Sequence, residues 1–141
     1  MPAKGHAQWN GDLKGGSGTF TAGDSISGDF SFKTRFEDAP GANPEQLIAA
    51  AHASCFSMAF SAALADAGHT PTSVTTDAVV TLRLTDDGPT ITKIALTTVG
   101  VVPGIEEAQF QEIAGAAKAG CPVSKALAGV GEITLDATLE G

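Results

Sequence analysis

From Leu47 to Ala65 the chain carries no acid, Lys or Arg and has Ala as its commonest residue, between Glu45 and Asp66. Asn43-Pro44-Glu45 opens this run as an N-cap, a proline at the first helical position and a first-turn acid. Gly68 ends it as a C-cap residue, so the sequence predicts a helix through about Ala67. Such a helix has about 24 residues and is about 36 Å long. It is Ala-rich on nearly every side and must therefore be enclosed by other elements. One domain of 141 residues struggles to surround such a rod, so a second subunit is expected to help. The run approaches the length of a membrane span. However, it contains His52 and several Ser, is far richer in Ala than in the Leu and Ile that a bilayer rewards, and is flanked by acids rather than Lys or Arg. A buried helix of a soluble protein is expected, with no membrane partner.

The remaining segments are short and alternating. Gly5–Asn10, Gly16–Ala22 and Gly28–Phe36 read as strands of an N-terminal β-meander. In the third, Phe30, Phe32, Thr34 and Phe36 share one face and Arg35 points to the other. Beyond Pro71, Val74–Leu84 and Thr90–Val101 flank Asp86-Asp87-Gly88-Pro89, a hairpin signal. A helix follows from Ile105 to about Ala119, with Phe110, Ile113, Ala114 and Ala117 on one face. Cys121-Pro122 opens a short helix to about Ala128, and Ile133, Leu135, Ala137 and Leu139 alternate along a last strand. With no repeat or linker, residues 1–141 read as a single α+β domain.

The net charge of −8 excludes nucleic acid as an expected partner, because phosphate binding needs a basic surface. The N-terminus has no apolar h-region, so no signal peptide is expected and the location reads as cytoplasmic. Two cysteines in a reducing compartment point to redox chemistry or to inert buried thiols rather than a structural disulfide. No fingerprint of a flavin, nicotinamide or haem site is present, so no cofactor is expected. His52, Cys55 and Cys121 offer one short ligand spacing, too little for an expected metal site. Gly15-Gly16-Ser17-Gly18 lacks the Lys and helix start of a phosphate loop and reads as a β-turn.

Taken in order, Phe32-Lys33-Thr34-Arg35-Phe36-Glu37, then Asn43-Pro44-Glu45-Gln46-Leu47-Ile48-Ala49-Ala50-Ala51-His52-Ala53-Ser54-Cys55-Phe56-Ser57-Met58, then Cys121-Pro122-Val123-Ser124-Lys125-Ala126-Leu127 closely resemble the OsmC/Ohr family, nearer its OsmC branch. The resemblance covers almost the whole chain. It implies an intertwined α+β homodimer with active sites at the subunit interface, reducing organic hydroperoxides with an external dithiol as donor. It also implies that Cys55 is the peroxidatic cysteine and Cys121 the resolving one, with Arg35 and Glu45 assisting. Gln46 and Ser54 depart from the family pattern, in which an acid and an alanine are expected.

The residue types suit that chemistry. A thiolate must attack one peroxide oxygen while the other leaves as alkoxide. A free Cys is about 3% thiolate at pH 7, so full ionisation gains only about thirtyfold. Positioning and charge stabilisation must supply the rest, and a guanidinium held by a carboxylate can do so. By spacing alone, other readings stay open. Arg35 also reads as a solvated strand residue, Glu45 as an ordinary first-turn acid, and Cys55 as a buried inert thiol. Local reasoning even favours Cys121 as nucleophile, since it opens a helix, whereas the resemblance assigns Cys55.

Glu45 and Cys55, ten residues apart, differ by about 15 Å along one straight helix. Either each comes from a different subunit or the helix breaks near its start. His52, one turn before Cys55, admits a Cys–His acyl-transfer dyad, though no third orienting residue is evident. A redox sensor or apolar-ligand carrier with non-catalytic cysteines is the alternative from a different class.

Overall fold

Local capping and turn chemistry place most of the ten elements where the sequence predicts them. The computed structural model describes all 141 residues. Strands β1 (Gly5–Asn10), β2 (Ser17–Ala22) and β3 (Ile26–Phe30) precede helices α1 (Phe32–Phe36) and α2 (Pro44–Asp66). Strands β4 (Ser73–Thr85) and β5 (Gly88–Val101), helices α3 (Glu107–Gly120) and α4 (Pro122–Ala126) and strand β6 (Glu132–Glu140) complete the chain. The architecture is α+β, as expected, and the residues cluster into two units, Met1–Leu47 and Ile48–Gly141, with the boundary inside α2.

The first unit is built on an antiparallel meander in the order β1-β2-β3. Trp9 of β1 and Phe30 of β3 both lie opposite Gly18 of β2, and their rings meet across it with centroids 5.5 Å apart. A Cβ on Gly18 would come within 2.6 Å of Phe30 Cζ, so this close approach of two aromatics over β2 requires glycine.

The strand expected over Gly28–Phe36 is corrected here: β3 ends at Phe30 and Phe32–Phe36 is a helix. Ser31 caps it, its hydroxyl accepting from Thr34 N–H at 3.3 Å while Thr34 Oγ1 accepts from Ser31 N–H at 2.9 Å. That reciprocal pair satisfies two donors at once and outweighs the β preference of the phenylalanines. In helical spacing Phe32, Arg35 and Phe36 lie on one face, so Arg35 sides with the phenylalanines rather than opposing them.

Helix α2 begins with a second reciprocal cap. Asn43 Oδ1 accepts from Gln46 N–H at 2.9 Å, and Gln46 Oε1 accepts from Asn43 N–H at 3.2 Å. Gln46 fills the third-position role in which either Glu or Gln works. Asn43 Nδ2 also donates to Thr34 O at 2.9 Å, tying α1 to the start of α2. Asn43→Ala removes both bonds and should lower unfolding stability by about 1–2 kcal/mol in urea titration.

The second unit carries a sheet in the order β4-β5-β6, with β4 antiparallel and β6 parallel to the central β5. The parallel pairing needs a crossover, which α3 and α4 provide. Helix α2 buries the stripe His52, Phe56, Phe60 and Leu64, each one turn beyond the last. These meet Ile94 and Leu96 of β5 and Phe110, Ala114 and Ala117 of α3 in one core. Phe60 stacks between Phe56 and Phe110, with centroids 5.5 and 5.2 Å away. By length and composition α2 could span a bilayer, but this stripe is committed to the core.

Candidate active site

Cys55 lies on α2 beside the buried stripe, one position before Phe56, and Cys121 sits between α3 and α4. The gap of 66 residues says nothing about their pairing, yet the fold places Sγ of Cys55 3.0 Å from Sγ of Cys121. Both thiols are free. Cys121 is fully buried, whereas Cys55 is only partly covered. A substrate entering from outside therefore meets Cys55 first.

Ionisation ranks the two sulfurs in the opposite order. Burial, and then the hydrogen bond with Cys121, push the Cys55 thiol up, with the Val123 N–H pulling the other way. Burial alone would raise Cys121 as well. Hydrogen bonds from Cys55, from the backbone and side chain of Ser124 and from the backbone of Val123 outweigh it and hold Cys121 below the ordinary thiol. Cys121 is therefore the more acidic of the two sulfurs, and the two stand within hydrogen-bond reach of each other.

The α4 residues that stabilise Cys121 are held by α2. His52 is fully buried, and its Nε2 lies 2.7 Å from Ser124 Oγ. Its Nδ1 is buried with no hydrogen-bond partner. The imidazole is directed at Ser124 rather than at Cys55, which removes the geometric basis for a Cys–His acyl-transfer dyad. Ser124 escaped the sequence reading, because its partner lies 72 residues away and Cys-Pro-x-Ser has no independent signal. Ser54, the other departure from the family pattern, turns its hydroxyl back onto Ala50 O at 2.7 Å and leaves the sulfurs alone.

Burial holds the His52 imidazole below the ordinary histidine range. A folded-state value below the unfolded one means that the unfolded chain binds the proton more readily. The stabilising contribution is therefore complete above about pH 6.5 and is lost as pH falls from there through the folded value. Urea midpoints measured from pH 7.5 to 5 should fall for the wild type and flatten in His52→Gln, which has no proton to gain.

In the first unit, Arg35 donates to the same carboxylate oxygen of Glu45 twice, from Nη2 at 2.8 Å and from Nε at 3.1 Å. Glu45 is buried, while the Arg35 side chain keeps 37% of its exposure. The guanidinium also lies 5.5 Å from the Phe36 ring centroid. Trp9, Leu13, Phe30, Phe32 and Phe36 line a cavity of about 270 Å³ beside it. Helix α2 runs unbroken from Pro44 to Asp66. Of the two sequence-based resolutions, a break in the helix is absent.

The model of the OsmC-like protein family matches residues 36–136. Peroxiredoxin OsmC of Escherichia coli (strain K12) is 51% identical over 139 residues, covering 97% of this chain and 96% of that protein. Peroxiredoxin OsmC of Shigella flexneri matches to the same extent. Among solved structures, the organic hydroperoxide resistance protein OhrB of Bacillus subtilis superposes with a TM-score of 0.70 at 25% identity, covering 99% and 98% of the two chains. An OsmC-like protein from Mycoplasma pneumoniae reaches 0.77 at 19% identity, covering 100% and 99%, a likeness of fold.

Proposed function

We infer, from a chain that belongs to the OsmC-like protein family and is a thiol-dependent peroxidase, that it reduces organic hydroperoxides to alcohols through Cys55 and Cys121. The observation that carries this reading is the 3.0 Å contact between a partly exposed and a fully buried thiol. One sulfur can meet a peroxide, and the other is already in place to resolve the product.

The steps balance as follows. The Cys55 thiolate attacks one peroxide oxygen, the O–O bond breaks, and the alkoxide leaves and takes a proton to become the alcohol. Cys55 is now a sulfenic acid. Cys121 attacks its sulfur, the S–S bond forms, and the hydroxyl departs with the Cys121 proton as water. An external dithiol then returns both cysteines to thiols by exchange. Such a donor is available in the cytoplasm, where the reading places the protein.

Arg35 is assigned to the departing alkoxide, because a guanidinium is always charged and presents fixed donors. Glu45 is assigned to hold it, with both hydrogen bonds on one oxygen fixing the fork. The unbroken α2 favours a homodimer in which the Arg35–Glu45 pair of one subunit serves the thiols of the other. Met58, 75% exposed on α2, and a shallow hollow lined by Met58, Ala62, Ala65 and Val74 support a second copy lying there. Arg35→Ala should slow organic hydroperoxide reduction about 100-fold and, by leaving the buried Glu45 carboxylate without its cation, also lower the thermal midpoint. An unaltered rate would remove Arg35 from the mechanism.

The deciding experiment is steady-state consumption of cumene hydroperoxide and hydrogen peroxide, with dithiothreitol or dihydrolipoamide as donor. Sustained turnover favouring the organic peroxide supports the reading. Oxidation that stops after one equivalent per chain with every donor points instead to a redox sensor.

A further inference from the structure

We propose that the buried His52–Ser124 hydrogen bond is a tether between α2 and α4 that keeps Cys121 facing Cys55 while the disulfide forms. His52 and Ser124 are then positioning residues, since they touch neither peroxide nor donor. The inference rests on the peroxidase reading and deepens it.

Two side-chain contacts join α2 to the start of α4. His52 Nε2 lies 2.7 Å from Ser124 Oγ, and Cys55 Sγ lies 3.0 Å from Cys121 Sγ. On α2 the two contacts are three residues apart, and from Cys121, the N-cap of α4, to Ser124 they are three apart again. The pairs are therefore one helical turn from each other on both helices, whose first contacts run in opposite directions. One contact alone would leave a helix of five residues free to pivot, whereas two hold its first turn in line.

The chemistry of the tether is a second observation. His52 is fully buried, Ser124 is buried beside it, and His52 Nδ1 has no hydrogen-bond partner. The polar contact of the imidazole is thus with Ser124 alone. Two apolar side chains would fill the same space without an orphaned nitrogen. What a hydrogen bond adds to such packing is direction, because it forms at one distance and over a narrow range of angles.

Direction matters at one step. In the reduced protein the two thiols hold each other. Once Cys55 carries the sulfenic oxygen, that contact is interrupted, and Cys121 must still approach the Cys55 sulfur in line with the departing hydroxyl. The S–S bond then forms, and the hydroxyl leaves with the Cys121 proton as water. Until it does, the His52–Ser124 bond is the side-chain link that keeps α4 aligned on α2.

Single-turnover mixing with cumene hydroperoxide, followed by rapid alkylation and mass spectrometry, separates sulfenic acid formation from disulfide formation. Ser124→Ala should slow the disulfide phase about three- to tenfold and leave the sulfenic phase unchanged. His52→Gln, whose amide nitrogen can take the place of Nε2, should keep the disulfide phase near the wild-type rate. The double variant His52→Leu/Ser124→Ala separates positioning from stability. With both polar partners gone, the thermal midpoint lost in Ser124→Ala should return while the disulfide phase stays slow. A disulfide rate that recovers with the midpoint, a wild-type rate in Ser124→Ala, or equal slowing of both phases would overturn the proposal. Should the double variant not fold, Ser124→Ala and His52→Gln decide between these outcomes. If the wild type forms no sulfenic acid with peroxide, the peroxidase reading fails instead, and an aromatic disulfide still tests the tether. Cys55 attacks 5,5′-dithiobis(2-nitrobenzoate) and releases one thionitrobenzoate; Cys121 then attacks the Cys55 sulfur and releases the second. Ser124→Ala should slow the second release by the same factor, and an unchanged rate there would equally overturn the proposal.

Discussion

Cys55→Ser should abolish turnover of organic hydroperoxide, lowering the rate by about 10³-fold or more. The size follows from the chemistry, since a serine hydroxyl at neutral pH offers neither a significant anion population nor a sulfur that can accept oxygen. The identity of the lost residue is the informative part. Electrostatics alone favours Cys121, whose thiol is held below its ordinary value while that of Cys55 is pushed above it. Accessibility favours Cys55, because Cys121 has no exposed surface. Accessibility decides: a proton can pass between sulfurs 3.0 Å apart, whereas a peroxide cannot reach a sulfur enclosed on every side. Steady-state assays of the two single variants check this. A Cys55→Ser protein that still forms a sulfenic acid would transfer the nucleophile's role to Cys121.

The second large effect is expected from Cys121→Ser. The first oxidation should proceed, and the product should change. Wild-type protein treated with one equivalent of peroxide and no donor should lose two hydrogens as the disulfide forms. The variant should instead gain one oxygen on Cys55, trappable with a sulfenic acid reagent, and excess peroxide should carry it to the irreversible sulfinic acid. Turnover with a bulky dithiol should fall at least about tenfold, because the donor must then attack a sulfenic acid inside the fold rather than exchange with a disulfide. Intact-mass spectra before and after donor addition distinguish these outcomes. Disulfide-linked material in the variant would require a partner for Cys55 on another chain.

Most of the architecture was legible in residues close in sequence. The N-cap of α2, its proline, the turn glycines and the alternation of β4, β5 and β6 are local signals, and the elements begin and end within a few residues of them. The class, and the resemblance carried by Asn43–Met58 and Cys121–Leu127, followed from the sequence by itself. Segment 32–36 shows the limit of such signals. Phe32, Arg35 and Phe36 satisfy helical spacing as readily as the phenylalanines satisfy alternation. The Ser31–Thr34 cap tipped the balance and carried Arg35 to the phenylalanine side.

What the tertiary structure alone decided is which atoms meet. Alanine on every side of α2 hides any helical period, so only packing against β5 and α3 reveals the stripe from His52 to Leu64. The meeting of Cys55 with Cys121 and of His52 with Ser124 spans 66 and 72 residues. Over such distances no periodicity operates, and the parallel return of β6 along β5 sets where the α3–α4 corner falls. Cys55 is partly exposed because it stands at the edge of the stripe, and Cys121 is buried because that corner closes over it. Reactivity thus depends on chain topology, whereas the elements themselves depend on neighbours a few residues apart.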